Sequence, residues 1–435
     1  MPDERLTIVF MPESAYGPTN NCVGIGKILE QRGHRVVFAA EASWKGKLEP
    51  LGFEENLVDL APPPAEDEAV DAGQFWTDFI TETAPEFRKP TIEQLDTFIR
   101  PVWASLVEGA MFCEPQLHRI LDETEPDVIV EDNVIGFPAL MTHGAPFVRI
   151  MSCNPLEMKD DAIPPVFSGY PAEDHSGWED FRDEYDRTHR DLWGSFNEWV
   201  VGQGARPLPD LEFIHESDIL NLYVYPAVAD YERERPLAST WRRLGSSVRA
   251  TEEPFQVPPE LTGGDGALVY LSLGSLGSAD VELMKRLVDV LSRTPHRYIV
   301  SKGPQAERFD LADNMWGEAR VPQTSIIPLV DLVITHGGNN TTTESFHFGK
   351  PMIVLPLFWD QYDNAQRVDE TGYGVRLDTY AFEDAEMLSA IDRVLGDEIL
   401  HARLRATGEQ IRARDGKVIA ADLIEGLGRR RRQPR

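Results

Sequence analysis

The feature that most constrains the fold is an alternation of short apolar runs with amphipathic helical stretches, which occurs twice along the chain. Apolar runs of four to six residues between helical segments predict parallel strands that are buried on both faces of a sheet. Since the alternation is repeated on each side of a polar break, the sequence predicts two doubly wound α/β domains. The predicted strands are residues 6–10, 35–40, 128–131, 147–151 and 220–224, then 268–273, 298–300, 332–334, 352–355 and 374–377.

The break between the two halves is a polar segment with paired prolines and a Gly-Gly pair, a composition typical of an interdomain linker. We therefore predict an N-terminal domain at 1–235, a linker at 236–266, a C-terminal domain at 267–414, and a terminal helix with a basic tail at 415–435. Two interpretations of the tail, which carries Arg429 to Arg432 and Arg435, remain open. It is either a solvated, disordered end or a weak attachment to an anionic membrane surface.

Composition narrows the possible partners and locations. Lys and Arg number 42 against 73 Asp and Glu, and the net charge of −31 argues against nucleic-acid binding, which needs a basic surface. The acidic start does not resemble a signal peptide and no apolar run reaches the length of a membrane span, so we expect a cytoplasmic protein without stable membrane insertion. Cys22, Cys113 and Cys153 are too widely spaced to predict a disulfide framework or a zinc site.

The strongest chemical signal is a Gly-rich turn between the strand at 332–334 and the helix that follows. His336, Gly337 and Gly338 lead into this helix, whose first turn contains Asn340 and Thr341. Such a turn leaves backbone N–H groups and the positive end of the helix free for an anion, and the three polar side chains add donors. The turn predicts a diphosphate cradle, with an ordinary capped helix as the alternative.

Two further features support a sugar-nucleotide site. Gly274 to Ser278 form a second Gly/Ser turn after the strand at 268–273, and two such turns facing one cleft suit a diphosphate. Asp360 and Gln361 follow the strand at 352–355 and offer acceptors and a donor to sugar hydroxyls. For Asp360, the alternative is an N-cap of the next helix.

Residues 320–368 resemble the signature region of the family 1 glycosyltransferases, which include plant, animal and antibiotic-pathway UDP-sugar transferases. The run from His336 to Ser345 matches the histidine-glycine block of that family, Asp360-Gln361 with Asn364-Ala365 its closing block, and Val321-Pro322-Gln323 its opening block. The resemblance implies a GT-B fold, two Rossmann-like domains facing a cleft. It also implies transfer of a hexose from a nucleoside-diphosphate sugar, UDP-glucose in the first instance, as a co-substrate without a further cofactor or metal.

The resemblance assigns a set of residues to the donor: Ser275, Arg320, Gln323, His336, Gly338, Asn340, Thr341, Glu344, Asp360 and Gln361. The Gly-rich turn and Ser275 would contact the diphosphate, Glu344 the ribose hydroxyls, and the Asp360-Gln361 pair the hexose. Gln323 would face the uracil through its backbone. Arg320 stands where the family often has a base-stacking tryptophan; because a guanidinium plane can also stack on a pyrimidine, uridine and thymidine both remain open.

The acceptor side departs from the family pattern. Members of the family usually carry Gly-His after the first strand, and that histidine is the general base; here the pair is Gly17-Pro18, and proline has no titratable group. Asp132, at the end of the strand at 128–131, matches the aspartate that orients the histidine, with a helix cap or turn as the alternative. Three outcomes follow: Asp132 is itself the base, the acceptor is acidic enough to need little base catalysis, or the protein binds without transferring. Glu13 and Tyr16 in the same first loop could also line the site.

The acceptor itself is not specified by any motif, but the segment 155–215 is rich in aromatic residues. These form either helix core or the wall of an apolar acceptor cleft: Phe167, Tyr170, Trp178, Phe181, Tyr185, Trp193, Phe196 and Trp199. We expect a small, largely apolar acceptor and a single inverting displacement. The competing hypotheses are a catalytically idle sugar-nucleotide-binding protein and a nucleotide-sugar epimerase on the same fold. A nicotinamide-dependent oxidoreductase is disfavoured because no Gly-x-Gly-x-x-Gly follows either first strand.

Overall fold

The computed structural model describes residues 5–62 and 83–433, which form two parallel sheets flanked by helices. The first sheet has the strand order β3-β2-β1-β4-β5-β6-β7 and the second β10-β9-β8-β11-β12-β13. All neighbouring strands in both sheets run parallel. The prediction of two doubly wound α/β sheets is confirmed.

The strands of the first sheet are β1 (Thr7–Pro12), β2 (Arg35–Phe38), β3 (Glu54–Glu55), β4 (Val128–Asp132), β5 (Phe147–Met151), β6 (Leu220–Tyr223) and β7 (Trp241–Arg243). Those of the second are β8 (Leu268–Ser272), β9 (Arg297–Ser301), β10 (Met315–Glu318), β11 (Leu332–Thr335), β12 (Met352–Val354) and β13 (Gly374–Arg376). The helices that begin before residue 280 are α1 (Tyr16–Gln31), α2 (Thr91–Gln94), α3 (Arg100–Thr124), α4 (Pro138–Thr142), α5 (Trp178–Gly202) and α6 (Gly274–Gly277). The later helices are α7 (Val281–Ser292), α8 (Gln323–Ile326), α9 (Asn339–Phe348), α10 (Gln361–Glu370), α11 (Asp384–Gly396), α12 (Glu398–Arg414) and α13 (Gly416–Arg432).

The position of the candidate site follows from the strand order. The order reverses between β1 and β4 in the first sheet and between β8 and β11 in the second. At such a switch point the neighbouring connections leave to opposite sides, which opens a crevice at the carboxyl ends of the strands. Asp132 ends β4 and His336 follows β11, so both of these residues lie at a switch point.

Three short strands were not predicted from the sequence: β3, β7 and β10. Each lies at the edge of its sheet, where one side of the strand has no neighbour, so none needs the continuous apolar run that marks a central strand. Strand β7 falls inside the segment predicted as linker. The first sheet therefore extends beyond residue 235.

The C-terminal helix α13 returns to the N-terminal half, where Ala420, Ile424 and Leu427 are buried in the core of the first sheet. The prediction of a disordered basic tail is wrong for the described residues, because the helix continues to Arg432. The Arg431 guanidinium donates to the Pro126 carbonyl at 2.6 Å, and Arg432 forms two hydrogen bonds with the Asp127 carboxylate at 2.7 and 2.6 Å. Pro126 and Asp127, just before β4, thus supply hydrogen-bond acceptors for the terminal arginines, which the sequence pattern did not reveal. Within the described residues, no helix is both long and apolar enough to cross a membrane.

Candidate active site at the interdomain cleft

The Gly-rich turn after β11 leaves the first turn of α9 without a side-chain cap. Gly337 has a φ of +86°, a left-handed conformation that glycine adopts without strain, and Gly338 is the N-cap residue with φ −56° and ψ 140°. The N-cap residue is a glycine and so offers no side-chain acceptor to the first backbone N–H groups of the helix. The N-terminus of α9 therefore has the uncapped arrangement that an anion site at a helix N-terminus needs.

The His336 ring is packed between two glycines, one from each Gly-rich turn. A Cβ atom added to Gly338 would lie 2.6 Å from His336 Nε2, and one added to Gly274 would lie 2.8 Å from the same nitrogen. Gly274 has a φ of +71° and begins the short helix α6, which also contains the backbone of Ser275; the Ser275 side chain lies outside the described part of the structure. The two turns predicted to face one diphosphate are thus in contact through this ring.

The imidazole of His336 is neutral at physiological pH. Desolvation in the cleft lowers its pKa to about 4, and a hydrogen bond with the Ser272 backbone only partly offsets this effect. A ring of this kind acts as a hydrogen-bonding group rather than as a fixed cation.

Two residues assigned to the nucleoside, Gln323 and Glu344, lie together with Thr341 of the diphosphate turn. The Gln323 amide donates to Glu344 Oε2 at 2.6 Å and to Thr341 Oγ1 at 3.2 Å. The other Glu344 oxygen accepts a hydrogen bond from Arg249 at 2.9 Å. Arg320 stands apart from this group, and its guanidinium lies over the Tyr16 ring of the N-terminal half, 4.9 Å from the ring centre.

Asp360 and Gln361, at the start of α10, lie beside the Gly-rich turn, since a Cβ added to Gly337 would be 3.1 Å from the Gln361 carbonyl oxygen. Asp360 is the N-cap residue, yet its carboxylate makes no capping hydrogen bond. One of its oxygens accepts from the Asn154 backbone N–H of the first domain at 2.9 Å and from the Asn364 amide at 3.4 Å. Burial raises the pKa of Asp360 to about 6. Gln361 Oε1 accepts from the backbone N–H groups of Leu357 and Phe358, which fixes the loop before the pair.

On the acceptor side, Pro18 and Asp132 line the same small cavity, together with Arg149, Ser152 and Glu157. Asp132 Oδ1 accepts a hydrogen bond from Ser152 Oγ at 2.7 Å, whereas Oδ2 has no partner among the described residues. Burial raises the pKa of Asp132 well above its usual range, and the neighbouring Glu13 carboxylate adds to the shift. The carboxylate is therefore not a helix cap, and one of its oxygens is free to accept a proton.

Asn340 joins the two halves of the site directly. Its amide nitrogen donates to the Gly17 carbonyl at 3.0 Å, and its amide oxygen accepts from the Asn21 side chain at 2.9 Å. The first turn of α1, which contains Gly17 and Pro18, therefore lies against the first turn of α9. The neighbouring Asn339 side chain donates to the Ser152 and Val224 carbonyls, so the contact continues along the carboxyl edge of the first sheet.

The aromatic residues of the segment 155–215 are mostly buried, which agrees with the helix-core interpretation. Trp178, Phe181 and Phe196 are buried around α5. Phe167 is also buried, and its ring centre lies 4.5 Å from that of Trp359, the residue before the Asp360-Gln361 pair. Trp359 has a φ of +58°, an unusual conformation for a bulky residue, and it also packs against Trp103 at 5.2 Å.

Several residues at this cleft were missed by sequence reasoning: Arg249, Ser152, Asn154, Phe358, Trp359 and Asp363. The Asp363 carboxylate accepts hydrogen bonds from the backbone N–H groups of Phe167 and Gly169 at 2.7 and 2.8 Å. These two bonds connect the first domain to α10. The hydrogen-bond partners of the missed residues lie about 20 to 210 residues away in the chain, so no local pattern marks these residues. The one available sequence signal was the aromatic run Phe358-Trp359, which precedes Asp360 and Gln361. Among the described residues, no group of three or more His, Cys, Asp or Glu side chains is placed to hold a metal ion.

Comparison with known proteins agrees with this geometry. Residues 256–404 match the family model described as UDP-glucuronosyl and UDP-glucosyl transferase. The chain is 23% identical to NDP-glycosyltransferase YjiC of Bacillus subtilis over 95% of both proteins. It is 24% identical over 97% of its own length to a sterol 3-beta-glucosyltransferase of Yarrowia lipolytica, of which it spans only 29%.

The whole chain also resembles solved glycosyltransferase structures. The crystal structure of glycosyltransferase VinC in complex with dTDP superimposes with a TM-score of 0.65 at 16% identity, and the match covers 98% of this chain and 100% of VinC. This likeness spans both sheets and shows the two-domain fold. The chain is a glycosyltransferase with the GT-B fold, and its residues 256–404 match the family of UDP-glucuronosyl and UDP-glucosyl transferases.

Proposed function

We propose that the chain transfers a hexose, with glucose from UDP-glucose as the first candidate, to a small and largely apolar acceptor with inversion at the anomeric carbon. The observation that carries this proposal is the contact between Asn340, in the diphosphate turn, and Gly17, next to Pro18. Pro18 in turn lines the same cavity as Asp132. A donor phosphate at the α9 N-terminus and an acceptor beside Asp132 would therefore meet across a short distance.

Stabilisation of the leaving group falls to the C-terminal half. The uncapped N-terminus of α9 presents backbone N–H groups to the β-phosphate, where negative charge develops as the glycosidic bond breaks. The neutral His336 ring adds a hydrogen bond at the same place, and its position is fixed by Gly274 and Gly338. Asp360 and Gln361 would orient the hexose, with the Asp360 carboxylate accepting sugar hydroxyls after it releases the Asn154 backbone N–H.

Removal of the acceptor proton falls to Asp132 in this proposal. Ser152 fixes one of its oxygens and leaves Oδ2 free, and the raised pKa brings the carboxylate closer to the range in which a general base works at neutral pH. A base on the first-domain side and a leaving group on the second-domain side would lie on opposite faces of a sugar bound between them. That arrangement supports a single displacement with inversion.

An apolar acceptor is favoured by the aromatic surface next to the sugar pair. Phe87 and Phe98 pack against Phe358, and Trp103 and Phe167 pack against Trp359. The name of the Yarrowia relative specifies a sterol acceptor and glucose, and VinC was crystallised with dTDP. A ring-bearing aglycone and a pyrimidine nucleotide are therefore the first substrates to test. A cytoplasmic location remains a prediction of the sequence.

Mass spectrometry after incubation with UDP-glucose and a mixed panel of phenols, carboxylic acids and aliphatic alcohols tests the proposal. Asp132→Asn should lower turnover by about 10²- to 10⁴-fold, the usual contribution of a general base, without changing the affinity for UDP. Asp289→Asn, which removes an exposed carboxylate on α7, is the matched control and should retain full turnover. Equal turnover of the Asp132→Asn variant and the wild type would refute the role of Asp132.

One alternative is favoured by a specific observation, the proline at the position of the basic histidine. A catalytically idle binder would take up UDP-glucose without forming any product from the panel. A nucleotide-sugar epimerase would convert the donor in the absence of every acceptor. Titration calorimetry with UDP-glucose, followed by analysis of the recovered nucleotide, separates the three functions.

A further inference from the structure

Arg249 lies in the segment between the two sheets, and its side chain is directed to the donor side of the cleft. It is 10% exposed, and its guanidinium bridges two carboxylates, Glu344 on α9 and Glu252 in its own segment. Glu252 is fixed in turn, because it accepts the Thr324 backbone N–H at 2.6 Å and the Thr324 hydroxyl at 2.8 Å. The interdomain segment is thereby attached to the wall of the cleft.

The Glu344 carboxylate is held in one orientation by donors on both of its oxygens. Arg249 donates to Oε1 at 2.9 Å, and Gln323 donates to Oε2 at 2.6 Å. Gln323 is itself fixed, since its amide oxygen accepts a hydrogen bond from the Tyr270 hydroxyl at 3.1 Å. A carboxylate has about four acceptor positions, so each oxygen keeps capacity for another hydrogen bond.

Glu344 is also placed where a ribose would lie. It follows Asn340 and Thr341 by four and three residues, which puts all three on one face of α9, about one helical turn apart. In a nucleoside diphosphate the ribose is joined directly to the phosphates and carries two neighbouring hydroxyls. This step rests on the proposed function, which puts the diphosphate at the N-terminus of α9.

We propose that Arg249 is a positioning residue of the nucleoside subsite. It presents the Glu344 carboxylate to the ribose hydroxyls, and the chain therefore selects ribonucleoside over 2′-deoxyribonucleoside diphosphates. A site built to hydrogen-bond a hydroxyl discriminates against the analogue that lacks it, because the acceptor position oriented toward that hydroxyl then has no donor. With the side chain of Glu344 only 4% exposed, the carboxylate depends on Arg249 to remain an oriented acceptor.

Titration calorimetry with UDP and with 2′-deoxy-UDP tests this inference without any transfer reaction. We expect the wild type to bind UDP more tightly than 2′-deoxy-UDP. Arg249→Met should weaken UDP binding by about 10- to 100-fold, because a hydrogen bond to a charged group contributes about this much. The binding of 2′-deoxy-UDP should weaken by no more than about threefold, since this nucleotide lacks the 2′-hydroxyl. Arg249→Lys should restore part of the preference. Arg293→Met, which removes two exposed ion pairs at the C-terminal end of α7, is the control and should bind as the wild type does.

Equal losses for the two nucleotides, or no loss for either, would overturn the inference. If Arg249→Met does not fold, Arg249→Lys gives the same test, because lysine cannot bridge Glu344 and Glu252 with a planar fork; a preference unchanged from the wild type would refute the role of Arg249. Wild-type protein that binds neither nucleotide would overturn the proposed function and this inference together, whereas equal losses leave the proposed function intact.

Discussion

Gly338→Ala is the substitution that most directly tests the role of His336, because it moves the ring without altering it. Gly338 has φ −56° and ψ 140°, which alanine adopts without strain, so the backbone N–H groups of the α9 N-terminus stay in place. The new Cβ would lie 2.6 Å from His336 Nε2 and 3.1 Å from its Cε1, well inside van der Waals contact. The ring must therefore turn away from the position at which it is expected to meet the diphosphate.

The expected magnitude follows from the loss of one hydrogen bond to a charged group, about 1.5–3 kcal/mol. At 1.4 kcal/mol for each factor of ten, UDP affinity should fall by about 10- to 150-fold. Titration calorimetry with UDP measures this change, and thermal unfolding shows whether the variant is folded. Gly194→Ala is the control, since a Cβ at that helical position on α5 has no neighbouring heavy atom within 4 Å.

A double-mutant comparison makes the test specific. If Gly338→Ala acts only through the ring, then adding it to His336→Ala should lower UDP affinity by no more than about threefold, because the two changes remove one interaction. Losses that multiply would show that the alanine acts elsewhere in the turn. UDP affinity of Gly338→Ala within threefold of the wild type would refute the contact between His336 and the diphosphate.

Two further predictions concern stability. Burial lowers the pKa of His189 to about 4, whereas an unfolded histidine titrates near 6.5, so the unfolded state binds more protons between these values and stability falls with decreasing pH in that window. In urea denaturation, the unfolding free energy of His189→Gln should fall by about 2 kcal/mol less than that of the wild type between pH 7 and pH 5. Asp363→Ala leaves the buried Phe167 and Gly169 N–H groups without their acceptor and should destabilise the domain contact by about 2–5 kcal/mol. Faster hydrogen exchange of these two amides would report the loss, and exchange at the wild-type rate would contradict it.

The central strands and their order of occurrence were predictable because each is a local pattern. Strands buried on both faces of a parallel sheet are marked by apolar runs, as at residues 128–130 of β4 and 268–271 of β8, and such runs stand out in any sequence. The edge strands β3, β7 and β10 escaped prediction because an edge is only partly covered and tolerates charged residues such as Glu54 and Arg242.

The candidate site, too, could be predicted from the sequence only where its residues are consecutive in the chain. The diphosphate turn could be predicted because a strand, two glycines and a helix N-terminus are consecutive in the chain and their backbone geometry alone makes an anion site. Whether His336 is charged could not be predicted, since its pKa depends on desolvation by residues from both Gly-rich turns.

The sequence by itself determined the two parallel sheets, the turn after β11 and the absence of a basic histidine at Pro18, all of which are properties of neighbouring residues. Only the tertiary structure decided that Ser152 holds Asp132, that Arg249 holds Glu344 and that the terminal arginines bind the start of β4. The reason is physical: the orientation and protonation of a buried carboxylate are set by the groups that surround it in space, and here those groups come from distant parts of the chain.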